Sequence, residues 1–142
     1  MRPRKYPRQN RSKITVDAII EAASEILIAF GLEKSTTHKI AERAGVSVGS
    51  LYQYFPNKKS IFTELQRHYM DKLYKHLEKM LEPCSDLPLI DAISLFVEGF
   101  IGHIRENIEI WHVLLGHRFH FLPEEERANR NQKLQRLLIH NI

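Results

Sequence analysis

The sequence predicts an all-α protein, on three observations. Apolar residues recur at intervals of three and four, as in Ile61, Leu65, Tyr69, Leu73, Leu77 and Leu81, the period of a helix with one buried face. No stretch alternates apolar and polar residues as a half-buried strand does. Glycines and prolines stand where the periodic runs break, at Gly31, Gly45, Pro56, Pro83 and Pro123, which is where helices stop and start.

Each element follows in order. Residues 1–14 form a polar, basic arm with Pro3 and Pro7, expected to be flexible. Thr15 is placed to cap a first helix over 15–30, with Asp17 in its first turn where the helix dipole favours an anion. Ile19, Ala23, Ile26, Leu27 and Phe30 make one apolar face, and Gly31 ends the helix. Thr36 and Thr37 open a short second helix carrying Ile40, Ala41 and Ala44, and Gly45 ends it, free to take a positive φ. Ser47 caps a third helix through Tyr54, and Asn57 caps a fourth that runs to Pro83. A fifth helix reads from Pro88 to Glu106 and a sixth from Ile108 to Gly116. The seventh starts at Pro123, followed by three glutamates, and runs to the end. Cys84, the single cysteine, falls in a loop between Pro83 and Ser85 and reads as an incidental thiol. The domain bounds that result are an arm at 1–14, a three-helix domain at 15–56, a connecting helix at 57–82 and a C-terminal helical domain at 83–142.

The 142 residues include 43% hydrophobic side chains, enough for a core and too many for wholesale disorder. No run approaches the apolar length of a membrane span, and no apolar signal region follows the basic N-terminus, so the expected location is cytoplasmic, with no membrane partner. The net charge of +4 is unevenly spread. Residues 1–60 carry eleven Lys or Arg against five Asp or Glu, and residues 61–142 carry ten against twelve. Arg2, Arg4, Lys5, Arg8, Arg11 and Lys13 precede any acid. A basic first half points to a polyanion, with nucleic acid the leading candidate.

The stretch "THKIAERAGVSVGSLYQYF" is two short helices joined by a tight glycine turn, the pattern of a helix-turn-helix. Ile40, Ala41, Val46 and Leu51 supply the inner contacts, which leaves Val48, Gly49, Tyr52 and Gln53 facing outward. Tyr52 and Tyr54 cannot both face inward together with Leu51 and Phe55. Gly49 weakens a helix by about 1 kcal/mol relative to alanine, a loss with a purpose if another surface must come close. The major groove of B-DNA admits a helix, and tyrosine hydroxyls and lysine ammoniums suit phosphates.

From Thr15 to Leu73 the sequence resembles the N-terminal DNA-binding domain of the TetR (tetracycline repressor-like) family of bacterial transcriptional regulators, through "AIIEAASEILIAFG" and "STTHKIAERAGVSVGSLYQYFPNKKSIF". The resemblance implies a repressor that binds a palindromic operator on double-stranded DNA as a homodimer. It also implies a C-terminal ligand-binding and dimerisation domain from which a small-molecule inducer acts, without cofactor, metal or enzymatic step. Resemblance and chemistry together assign Thr37, Lys39, Ser47, Ser50, Tyr52, Tyr54 and Lys58 to the phosphate backbone and its support, and Val48, Gly49 and Gln53 to base pairs. His38 stands where some relatives use a base-reading arginine. Arg8 and Arg11 are expected near the adjacent groove. Most members are longer, so this chain is expected to be a fragment or to build its dimer differently. The stripe of Leu134, Leu137 and Leu138 has no later helix in this chain to cover it, so the seventh helix is expected either to form an interface or to be poorly ordered at its end.

In the C-terminal half, Phe96, Phe100, His103, Trp111, Leu115 and His117 are the candidate lining of a ligand pocket, with Ile104 on the same apolar pattern. Glu109, His112, His117 and His120 lack the arrangement of a tetrahedral metal set. Two other functions fit parts of the sequence. One is a helical small-molecule-binding protein or enzyme using the C-terminal histidines, distinguished by zinc content and hydrolase activity. The other is an architectural protein binding DNA without sequence preference, distinguished by salt dependence without base dependence.

Overall fold

The structure is a computed structural model that describes the backbone of residues 6–116 and 121–141 and the side chains of 10–116 and 121–139. It is all-α among those residues: α1 (Tyr6–Lys34), α2 (Thr37–Ala44), α3 (Val48–Tyr54), α4 (Lys58–Leu81), a 3-10 turn (Glu82–Asp86), α5 (Leu89–Glu106), α6 (Ile108–Leu114) and α7 (Glu124–Asn141). No helix is long and apolar enough to cross a membrane among the described residues. The chain divides into two units, Met1–Leu65 and Gln66–Ile142, and the division falls inside α4.

In the first unit, α1 begins at Tyr6 rather than at Thr15, so part of the expected flexible arm is helical. Pro7 falls in the first turn, where its missing N–H is harmless. Thr15 does not cap: its hydroxyl donates to the Arg11 carbonyl 2.9 Å away, one turn back, as threonines inside helices do. Gly31 breaks the helix with φ +74° and ψ 171°, and one further turn ends at Lys34. The core of this unit joins Ile19, Ala23 and Leu27 of α1 with Ile40 and Ala41 of α2, Leu51 and Phe55 around α3, and Ile61, Phe62 and Leu65 of α4.

In the second unit, α4 buries Leu73, Leu77 and Leu81. Cys84 lies in the 3-10 turn, 1% exposed, packed with Leu81 and Ala92. It is thus a core side chain and not a loop thiol. Leu137 and Leu138 of α7 pack against that same cluster, and Leu134 is half-buried. The leucine stripe expected to mark an interface is therefore used internally, because α7 folds back over the 3-10 turn.

The two units hold their ion pairs differently. In the first, Arg43 of α2 pairs with Glu25 of α1. In the second, Glu126 of α7 takes Arg67 in a two-pronged pair at 3.0 Å for each oxygen and Arg130 at 2.9 Å. Arg130 also reaches Asp71 at 2.6 Å. The Arg67 and Arg130 guanidiniums hold the Glu126 carboxyl down to about 2. Gln66, 4% exposed, accepts the Phe121 and Leu122 N–H groups on one amide oxygen, each at 3.0 Å, and so fixes the chain just before α7.

Candidate nucleic-acid interface

The geometry of the α2–α3 hairpin comes from three local devices. Thr36, not Thr37, caps α2: its side chain accepts the Lys39 N–H at 3.2 Å. Gly45 closes α2 in the left-handed conformation, φ 72° and ψ 27°, its N–H bonded back to Ala41 and Glu42, a position that favours glycine. Ser47 caps α3 by accepting the Ser50 N–H at 3.0 Å, and its hydroxyl donates to the Ser50 hydroxyl at 2.9 Å. Beyond α3, Asn57 and Ser60 cap α4 reciprocally, the Ser60 N–H on Asn57 Oδ1 at 2.9 Å and the Asn57 N–H on Ser60 Oγ at 3.3 Å.

With the hairpin so fixed, α3 has a clear inside and outside. Leu51 is fully buried and Phe55 7% exposed, while Tyr52 and Tyr54 are 48% and 36% exposed. Gly49 and Gln53 are exposed beside them, and Val48 and Ser50 half-buried. A Cβ built on Gly49 would meet nothing closer than Ser47 Oγ at 3.9 Å. Nothing among the described residues therefore requires a glycine there.

At the start of α2, Thr37 is half-buried and His38 exposed. The Thr37 and Tyr52 hydroxyls share a hydrogen bond of 3.0 Å, which ties the first turn of α2 to the outer face of α3. Because Thr36 does the capping, the Thr37 hydroxyl is left to this bond.

Two of the expected phosphate contacts stand elsewhere. The Lys39 ammonium donates to the Lys34 carbonyl at 2.9 Å and lies 4.3 Å over the Phe30 ring. The Lys58 ammonium donates to the Leu32 carbonyl and lies 5.8 Å from the centre of the Phe62 ring. Both lysines thus satisfy carbonyls at the C-terminal end of α1, where helices leave acceptors unpaired and favour cations. Sequence spacing carries no signal for this, since both side chains are long enough to go either way. Arg11 is exposed on α1; Arg8 lies outside the described side chains.

Among the described residues the C-terminal candidates form no single cluster. Trp111 is fully buried, with an indole N–H that has no acceptor among the described residues. His103 packs edge-on to Trp111 at 6.1 Å and stacks on His76 of α4 at 4.7 Å. Burial first, then the neighbouring His76, lower the His103 pKa below its usual 6.5, against an opposing pull from Glu106 and with the least help from Lys72. Phe96 and Phe100 stack at 6.4 Å, Phe100 on the exposed side of α5, and Leu115 is 60% exposed. His117 and His120 lie outside the described residues. His76 was not among the candidates, and only the packing of α4 on α5 reveals it. Among the described residues no three His, Cys, Asp or Glu side chains are grouped to hold a metal ion.

Residues 19–65 match the family described as bacterial regulatory proteins, tetR family. The nucleoid occlusion factor SlmA of Aliivibrio fischeri is 28% identical over 122 residues, which cover 85% of this chain and 61% of the relative. That of Vibrio vulnificus is 27% identical with the same coverage. The chain thus spans about 61% of the length of these relatives. Among solved structures, a TetR family transcription regulator from Marinobacter aquaeolei VT8 aligns with a TM-score of 0.75 at 17% identity, covering 92% of this chain and 68% of that one. Another, from Thermus thermophilus, gives 0.63 at 23% identity, over 85% and 63%. At these identities the structural likeness speaks for the fold.

Proposed function

The N-terminal unit of this chain belongs to the tetR family of bacterial regulatory proteins, and on that premise we propose that the protein is a cytoplasmic, non-enzymatic transcriptional repressor. It binds a palindromic operator in double-stranded DNA as a homodimer and is released by a small-molecule ligand held in the C-terminal unit. The observation that carries this reading is the outer face of α3, where Gly49, Tyr52, Gln53 and Tyr54 are exposed while Leu51 and Phe55 fill the core beneath. Val48, Gly49 and Gln53 face bases, and Thr37, Ser50, Tyr52 and Tyr54 face the phosphates on either side. Ser47 holds the first turn of α3 in place. Lys39 and Lys58 reach phosphates only by leaving the α1 carbonyls they hold in the free protein.

The ligand site in this reading centres on His103 and Trp111, with Phe96 and Phe100 on the adjoining face of α5. The Trp111 N–H, without an acceptor among the described residues, calls for one, and a ligand oxygen supplies it. Such a ligand releases DNA only by binding the non-operator conformation more tightly.

Selection of duplexes from a random library, followed by footprinting on the winners, tests the proposal. The expected result is a two-fold symmetric site whose half-sites lie about 34–36 Å apart or a multiple of that. Equal affinity for every duplex, with full salt dependence, would leave an architectural protein instead. The SlmA relatives support a second reading, nucleoid occlusion. Chromosome-wide mapping separates the two: a regulator occupies a few sites beside promoters, an occlusion factor sites spread along the chromosome.

A further inference from the structure

Three helices of the second unit meet ring to ring. His76 of α4 stacks on His103 of α5, with 4.7 Å between centroids and 29° between planes. Trp111 of α6 stands edge-on to His103 and to Tyr69 of α4, each at 6.1 Å. The approach of α4 to α5 is close here. A Cβ on Gly99 would overlap the Met80 sulfur, and His76 Nε2 lies 3.2 Å from the Gly99 carbonyl. A carbonyl only accepts, so Nε2 carries a proton, which holds the His76 ring in place against His103. Two neutral imidazoles stack as aromatic rings do. Two imidazoliums at the same distance repel.

We propose that this histidine pair makes the protein an acid-responsive regulator: a proton taken up at His103 parts α5 from His76 and releases DNA, acting where the ligand of the reading above acts. The inference rests on that reading and adds an effector to it. Histidine changes charge within the physiological range, and protonation of clustered histidines is a means of opening packed elements in mild acid. The charged groups that act on His103 come from two helices. His76 and Lys72 of α4 oppose its charge and Glu106 of α5 favours it, while α6 presents the Trp111 ring. Burial opposes the charge most, so the packed ring takes a proton less readily than a solvated one. Acid therefore favours the parted arrangement, beginning near the ordinary value of 6.5. α4 carries the change toward the DNA-facing helices. It is one helix from Lys58 to Leu81, with Ile61, Phe62 and Leu65 in the core of the first unit and Leu73 and Leu77 in that of the second. His38, exposed at the start of α2, works in the other direction: a proton there adds positive charge facing DNA and strengthens binding.

Fluorescence anisotropy on a selected duplex between about pH 8 and 5, at constant salt, is the test. Helicity is followed by circular dichroism, and the emission of Trp111, the single tryptophan, reports on the ring group without DNA. Affinity should be constant above about 6.5 and weaken below it by up to about tenfold per pH unit, the limit for one proton. Helicity should be kept, and Trp111 emission should change over the same range. His103→Phe, which keeps a ring in the stack and takes no proton, should lose both transitions, and so should His103→Gln. His38→Ala should keep them. Release that persists in both His103 variants, or that coincides with loss of helicity, would overturn the proposal. A chain that selects a duplex and holds it through acid would overturn it while leaving the regulator reading standing. A chain that selects no duplex yet shows the Trp111 transition, lost in His103→Phe, would sink that reading and uphold the acid-opened pair.

Discussion

A methyl group added at Gly49 should strengthen the fold and weaken recognition. Gly49 is the second residue of α3, and its added Cβ meets only Ser47 Oγ, at an ordinary contact distance of 3.9 Å. No neighbour has to move. Alanine therefore adds helix stability of up to about 1 kcal/mol, a gain that raises the melting midpoint of a unit this small by a few degrees. In the proposed DNA complex the same methyl projects from the exposed face beside Tyr52 and Gln53, between α3 and the groove. Pushing the helix off its base contacts should lose about 1–3 kcal/mol, or roughly five- to 150-fold in Kd. Thermal melts and fluorescence anisotropy on a selected duplex, run beside a scrambled one, measure the two effects separately. A Gly49→Ala chain that melts higher and binds its selected duplex as tightly as the wild type would refute close approach at this residue.

Other outcomes follow from the same geometry. Gln53→Ala should relax preference at one base step by about 1–3 kcal/mol, whereas Tyr54→Phe should weaken selected and random duplexes alike, as competition titrations would show. Removing residues 1–13 should flatten the dependence of binding on salt by roughly 0.9 in slope for each phosphate the arm no longer neutralises. Neutral His103 favours the fold, so stability in this region should be full above pH 6.5 and fall as pH drops from there toward the lowered folded value. His103→Leu should abolish that limb in urea titrations across pH. Glu126→Gln should destabilise the second unit by about 1 kcal/mol at neutral pH. Its wild-type contribution should be complete above about 4.5 and vanish as pH approaches about 2.

Much of the first unit is legible in the sequence because its decisive features are local. Gly45 in the left-handed region, Ser47 on the Ser50 N–H and Asn57 on the Ser60 N–H depend on neighbours no more than four residues away. The inward Leu51 and Phe55 follow from helical period. Thr15 shows the limit of that logic: the same hydroxyl that can cap a helix can bond back into one, and the basic residues before it are helix-compatible. What sequence could not show depends on contacts distant in the chain. The ammoniums of Lys39 and Lys58 end on α1 carbonyls, His76 meets His103 only because α4 packs on α5, and the leucines of α7 are covered by Leu81, Cys84 and Ala92.

The lysines that hold the end of α1 have a bearing on chemical labelling. An ammonium that donates to a carbonyl and rests on an aromatic ring must leave both before its nitrogen can reach an acylating reagent. Lys39 and Lys58 should thus acylate slowly in the protein without DNA, while Lys59, exposed at the start of α4, acylates at the rate of a solvated amine. A footprint that compares free and DNA-bound protein would then register Lys59 and understate its two neighbours, even where all three sit equally close to the duplex. For Lys39 and Lys58 the informative quantity is faster labelling when the α1 contact is broken, rather than slower labelling when DNA is added.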